Sequence, residues 1–296
     1  MRDDPGFKPP PYPYDRLDEL KPLADHHEGG IVDCSIGTPI DPPPDQVIKA
    51  LANSGMERSY PPSIGTPAFR ENVAAWAFRS FGCEIDPDSQ IAAAVGTKEF
   101  VAGLPQWMKL RNPNRDTVLY PAVSYPSYEM GATLAGCRSV AVPVDEHWSI
   151  QLDEVSEEDR SRALLLWVNT PGNPAGGLDD LDAVAAWGRR HGIPVFSDEC
   201  YCEFTWEGPP RTILSSGAEG VVSVHSLSKR SNLAGVRVGF YAGDSEIVDY
   251  LREVRKHAGF MVPGPAQAAA VAALSDQGHV EQQRETYWNR LNRLSK

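Results

Sequence analysis

Cysteine is scarce in this sequence. The 296 residues contain five, Cys34, Cys83, Cys137, Cys200 and Cys202. The number is odd and no C-x-x-C spacing occurs, so neither a disulfide framework nor a zinc site is expected, and a reducing cytoplasm fits the pattern. Long apolar runs are also missing, and no stretch is long enough to span a bilayer as a helix. The start, Met1 to Asp4, carries charge but leads into prolines rather than an apolar segment, so no secretory signal is expected. Basic residues are in deficit: 28 Lys and Arg face 40 Asp and Glu, a net charge of −12. That balance argues against nucleic-acid or anionic-membrane partners, since either wants a basic face. The densest basic stretch, Arg252 to His257, is broken by Glu253 and Val254 and reads as a solvated helix face. A soluble cytoplasmic protein is expected.

Apolar residues make up 41% of the chain, enough to bury a large core. Residues 1–45 are rich in proline (Pro9, Pro10, Pro11, Pro13, Pro42, Pro43, Pro44) and read as an extended arm with one short strand, Ile31 to Ile36. From Asp45 helical patterns alternate with short apolar runs. Helices are expected over Asp45–Asn53, Ala68–Phe81 and Leu178–His191, the second started by a Thr66-Pro67 cap. Strands are expected at Gln90–Val95, Thr117–Tyr120, Ser139–Val142, Ala163–Val168, Pro194–Ser197, Gly220–His225 and Val236–Ala242. The alternation implies an α/β fold with a largely parallel sheet covered on both faces, in which ligands bind at the carboxyl ends of strands.

The residues after those strands carry the chemistry. In order they are Gly96-Thr97-Lys98, Tyr125, Asn169 to Pro174, Asp198-Glu199-Cys200-Tyr201 and Ser226-Leu227-Ser228-Lys229. Arg237 follows eight residues after Lys229, between Gly235 and Gly239. Together they suit an anionic, planar, electron-withdrawing cofactor. Lys229 would condense with an aldehyde, its amine acidified by Arg237 nearby. Ser226, Ser228 and Arg237 would surround a phosphate, completed by N–H groups at the turn through Gly96, Thr97 and Lys98. Asp198 would pair with a ring nitrogen and keep it protonated, making the ring an electron sink. Asn173 and Tyr201 would donate to the ring's phenolate oxygen, and Tyr125 would stack on its face.

Ser226-Leu-Ser-Lys229, five residues, then Gly235-Val-Arg237-Val-Gly239 resembles the pyridoxal-phosphate (PLP) lysine pattern of class I/II aminotransferases of fold type I. The resemblance runs from Ser35-Ile-Gly-Thr-Pro39 to the end of the chain. It implies a three-layer α/β/α PLP-transferase large domain at 46–280, preceded by an arm and small-domain segment at 1–45. Residues 281–296 would start a small domain that is largely absent. The resemblance also implies that Gly37 lies over the substrate, with Asn173 beside it, and that Tyr60, in Tyr60-Pro-Pro-Ser-Ile-Gly65, reaches the phosphate of a partner subunit in a homodimer. Where members often read Asn-Pro-Thr-Gly, this chain has Asn173-Pro-Ala-Gly176. Gly96-Thr-Lys-Glu-Phe100, Leu119 to Pro126, Trp167 to Pro174 and His257 to Pro265 are similar to N-succinyl-LL-diaminopimelate aminotransferases. That likeness implies glutamate/2-oxoglutarate and N-succinyl-LL-2,6-diaminopimelate as substrates, in lysine and cell-wall precursor synthesis. Members also continue past residue 296 with the arginine that grips the substrate carboxylate, so a nearly complete cofactor site and an incomplete substrate site are expected.

Each residue alone has a plainer reading. Asp198 could cap a helix, Lys229 could be a surface lysine, and Tyr125 or Tyr201 could be core with a wet hydroxyl. Asp198 and Lys229, 229 − 198 = 31 residues apart and each behind a strand, read as a cofactor pair only in company. Cys200 and Cys202 make no thiol site, and His225 reads as a packed strand histidine. Trp76, Trp107, Trp148, Trp167 and Trp187 read as core or sheet-edge aromatics. Other reactions on the same cofactor remain open, such as an aspartate- or alanine-type transfer, C–S lysis or decarboxylation, as does a non-catalytic PLP-binding regulatory domain. No metal is expected.

Overall fold

The computed structural model describes residues 6–206 and 208–296; the charged start, Met1 to Asp4, lies outside them. Two compact units divide at Thr38/Pro39. The first holds a short 3-10 turn at Pro13–Leu17 and one helical turn, α1 (Lys21–Ala24). The strand expected at Ile31 to Ile36 does not form. Val32 is 85% exposed and Ile36 61%, so no sheet face covers them. Instead the Asp33 carboxylate accepts from the Ser35 N–H and hydroxyl, and the chain closes on itself locally.

The second unit is built on a seven-stranded sheet. Its strands are β1 (Ile91–Ala94), β2 (Thr117–Pro121), β3 (Arg138–Val142), β4 (Ala163–Asn169), β5 (Val195–Asp198), β6 (Val221–Ser226) and β7 (Gly239–Gly243), in the order β1-β7-β6-β5-β4-β2-β3. All neighbours run parallel except β7, which is antiparallel to both β1 and β6. All seven expected strands form. The last starts three residues later than the sequence suggests, because Ala234–Val236 wind into a 3-10 turn and Arg237 takes a left-handed φ of 58°. Pairing can begin only at Gly239, opposite Ala94 and Ser226.

Side-chain alternation along the strands separates two apolar layers. Ile91 and Ala93 of β1, Leu119 of β2, and Leu166 and Val168 of β4 point to one face. There they meet α3 (Pro67–Phe81), α7 (Leu181–His191) and α10 (Gly264–Ser275), with α2 (Asp45–Ala52) packed behind α10. Ala92, Ala94, Val118, Leu165 and Trp167 point the other way, onto α4 (Thr97–Arg111), α5 (Ser127–Leu134) and α9 (Ser245–His257). Three shorter or outer helices complete the set: α6 (Glu157–Arg162), α8 (Leu227–Arg230) and α11 (Gly278–Leu294). A sheet covered on both faces needs apolar residues in every position, and all seven of β4 are buried. The α/β/α sandwich agrees with the expected fold class. The expected helix boundaries hold at Asp45 and Phe81, while α7 starts at Leu181, where the Asp180 carboxylate accepts from the N–H groups of Asp182 and Ala183. Trp76, Trp107, Trp167 and Trp187 are core residues, but Trp148 is half exposed. It sits in the Val144–Ile150 turn with φ of 65°, so its expected core or sheet-edge placement is corrected.

Candidate active site

Every parallel strand of this unit ends at the same edge of the sheet, and the sequence-expected residues gather there. β5 delivers Asp198, which is 6% exposed. Its carboxylate accepts from the Tyr128 hydroxyl at 3.0 Å and the Cys200 N–H at 3.2 Å. Burial holds the Asp198 pKa above the ordinary carboxylate value, opposed by the bonds from Cys200 and Tyr128. A buried carboxylate raised in this way is stabilised by any cation placed against it.

One strand over, β4 ends in Asn169, whose side chain does two tasks. Its Nδ2 donates to the Asp198 carbonyl at 2.9 Å, and its Oδ1 accepts from the Asn173 N–H at 2.7 Å. The turn after β4 is thereby tied to the end of β5. It brings the Asn173 amide to 3.5 Å from the Tyr201 hydroxyl, so the two expected ring-oxygen donors do meet. Thr170–Pro171 and Asn173–Pro174 in this turn are cis peptides.

On the other side of β5, β6 ends in Ser226. Its hydroxyl accepts from the Ser228 N–H at 3.1 Å and donates to Ser228 Oγ at 2.9 Å, opening the single turn α8 that carries Lys229. Lys229 is half-buried, and its amine is held below the usual lysine value. The cause is burial, not the neighbouring Arg237 that the sequence suggested. Arg237 instead donates to the Ala234 carbonyl at 2.8 Å. Its guanidinium lies against Gly96, the N-cap of α4, so closely that a Cβ there would collide with it. Gly96 also has φ of 72°, and glycine is required on both counts. No side chain caps this end of α4, so backbone donors and a fixed positive charge converge on one spot.

The remaining expected residues are placed less tightly. The Thr97 hydroxyl accepts from the Cys200 thiol at 3.5 Å, and burial pushes that thiol well above its ordinary pKa. The Lys98 side chain is exposed. Tyr125 is half-buried, its ring edge-on to Tyr128 at 6.1 Å. Tyr60 is 96% exposed, and Gly37 belongs to the first unit.

Two contributors escaped the sequence reading. Tyr128 is fully buried, stacked on Trp167 at 5.1 Å with its hydroxyl on Asp198. Asn169 stood at the head of the Asn169–Pro174 segment expected to carry chemistry but was given no role of its own. For Tyr128 the available signal was its three-residue spacing from Tyr125, which places both on one face of a helix start.

Residues 30–296 match the family described as aminotransferase class I and II. The 4-dedimethylamino-4-oxo-anhydrotetracycline transaminase OxyQ of Streptomyces rimosus is 42% identical over 94% of this chain and 76% of its own length. The LL-diaminopimelate aminotransferase of Aquifex aeolicus is 32% identical over 95% of this chain and 75% of its own. Among solved structures, a probable N-succinyldiaminopimelate aminotransferase from Thermus thermophilus superposes with a TM-score of 0.83 at 31% identity, covering 92% of this chain and 75% of the other.

Members of this family use pyridoxal 5'-phosphate. The residues present fit that group. The side-chain-free Gly96 lets the Arg237 guanidinium reach the start of α4, the Ser226 and Ser228 hydroxyls are adjacent where β6 passes into α8, and the buried Asp198 suits a protonated ring nitrogen. This chain belongs to the class I and II aminotransferase family.

Proposed function

We propose that this aminotransferase moves an amino group between glutamate/2-oxoglutarate and N-succinyl-LL-2,6-diaminopimelate or its keto acid, with Lys229 as the residue that holds PLP. Bound there, PLP supplies an electron-withdrawing ring that accepts the electron pair left when an amino acid loses its α-proton. Asp198 keeps the ring nitrogen protonated, and Asn173 and Tyr201 hold the ring's oxygen. Lys229 Nζ, acidified by burial, would take the substrate's α-proton and give it back on the far side of the substrate nitrogen. Ser226, Ser228, Arg237 and the Gly96–Lys98 backbone grip the phosphate, and Tyr125 covers the ring face. Tyr60, with its fully exposed ring, serves the phosphate of a second copy in a homodimer.

The observation that carries this reading is the convergence of Asp198, Asn173, Tyr201 and Lys229 on one sheet edge, where the buried Asp198 favours a cation. The diaminopimelate specificity draws on the names of the two diaminopimelate aminotransferases to which the chain is similar. A second reading rests on the higher identity to the tetracycline-pathway transaminase: an acceptor ketone set in a ring rather than in an open-chain acid. Profiling the purified protein against open-chain 2-keto acids, N-succinyl-2-amino-6-oxopimelate and cyclic ketones, with glutamate as donor, separates the two. Borohydride reduction should fix the cofactor on the peptide containing Lys229, and labelling of another lysine would remove Lys229 from the reaction.

A further inference from the structure

Arg255 is a cation buried far from water, and nothing in the reaction as described uses it. The residue is 1% exposed on the inner face of α9. Its guanidinium lies 4.8–5.7 Å from the ring centroids of Phe260, Trp107, Phe100 and Tyr241. It donates from Nη1 to Glu99 Oε2 at 2.9 Å and from Nη2 to Glu99 Oε1 at 2.6 Å. Glu99 Oε1 in turn accepts from the Val95 N–H at 2.8 Å.

The place of Glu99 gives the pair a task beyond packing. Val95, Gly96, Thr97 and Glu99 are the turn from β1 into α4, the same turn that meets Arg237. A carboxylate in a helix's first turn helps the helix but repels an anion sitting at its end. A bidentate arginine cancels that charge and also fixes where the carboxylate, and so the Val95 N–H, can lie. We propose that Arg255 is a positioning residue for the anion-binding turn: acting through Glu99, it fixes the Val95–Thr97 backbone and neutralises a carboxylate that would otherwise repel the cofactor's phosphate.

This inference rests on the reading that the Gly96 turn receives that phosphate, and the test keeps the two apart. Spectroscopic titration of the cofactor-free protein compares pyridoxal phosphate with pyridoxal, which lacks only the phosphate. Arg255→Met should weaken pyridoxal phosphate by about tenfold to a hundredfold while leaving pyridoxal within about twofold. Adding Glu99→Gln, which removes the uncompensated charge, should recover most of the lost preference. A purely structural role would weaken both ligands alike, and that result, or an unchanged preference, overturns the proposal. Should Arg255→Met not fold, Arg255→Lys keeps the charge but loses the paired fork. It should then lower the phosphate preference by about threefold to tenfold, and an unchanged preference again overturns the idea. Arg237→Gln is the control for the reading itself. If it leaves the preference untouched, the turn does not hold the phosphate and the proposal falls with the site. If Arg237→Gln lowers it and the Arg255 variants do not, only the proposal falls.

Discussion

At the scale of the residue, Asp198 and the pair behind it carry the sharpest consequences. Asp198→Asn keeps the shape but removes the charge that, on the proposed function, would face the ring nitrogen. Amino transfer should slow about a hundredfold or more, with a smaller loss of PLP affinity. Tyr128→Phe removes one donor from the same carboxylate, and a loss of roughly tenfold in kcat is expected. Near-normal turnover in both would reduce Asp198 to a helix cap. On the opposite side of the sheet, Glu199 Oε2 lies 3.3 Å from His225 Nε2, and both side chains are buried. Burial pushes Glu199 up to about 7 and His225 down to about 3. The two act on stability with opposite sign. The depressed His225 contributes fully above its ordinary 6.5 and loses that contribution as pH falls towards 3. The raised Glu199 contributes fully below its ordinary 4.5 and loses it as pH rises through 7. Between pH 4.5 and 6.5 the slopes oppose each other. His225→Phe should expose the Glu199 slope alone, so urea midpoints should fall as pH rises through this window; a flat profile in the variant would contradict the assignment.

Elements deliver these residues, and the turn between β1 and α4 is the most constrained. Gly96 holds a positive φ, and Arg237 occupies the volume a side chain would need. Gly96→Ala should cost about 1–2 kcal/mol in stability from the backbone alone. It should also displace Arg237, lowering PLP affinity at least tenfold. Denaturation and cofactor titration measure the two effects separately, and a variant that binds PLP normally would show that the guanidinium has another place to go. Much of this scale was legible beforehand. Thr66 does cap α3, its hydroxyl accepting from the Phe69 N–H at 3.2 Å, as the Thr66-Pro67 pair implies. Ile31 to Ile36 looked equally convincing as a strand, yet a strand needs a neighbour, and alternation in one segment says nothing about whether another chain segment lies alongside.

For the whole molecule, the assignment of Tyr60 to a second copy makes assembly a testable matter. Tyr60→Phe should loosen PLP, and Lys229→Ala should abolish covalent attachment. Mixing the two variants under conditions that exchange subunits should restore about a quarter of the sites, since half the dimers are mixed and each mixed dimer carries one site with both native residues. Activity no higher than the sum of the separate variants would mean that Tyr60 serves no neighbouring site.

What the sequence determined by itself was the local grammar: which runs alternate, where strands stop, and which reactive residue stands at each stop. Those properties depend on near neighbours along the chain, so the seven strands, and the places of Lys229, Asp198, Asn173 and Arg237 beside their ends, could be read without coordinates. Tertiary structure alone decided what those residues touch. Tyr128 reaches Asp198 across 70 residues of chain, and Arg255 reaches Glu99 across 156. Neither pairing has any periodicity to betray it. The acidity of Lys229 follows the same rule. The sequence offered a nearby charge as its cause, but burial sets it, and burial is a property of everything packed around the amine rather than of any residue beside it in the chain.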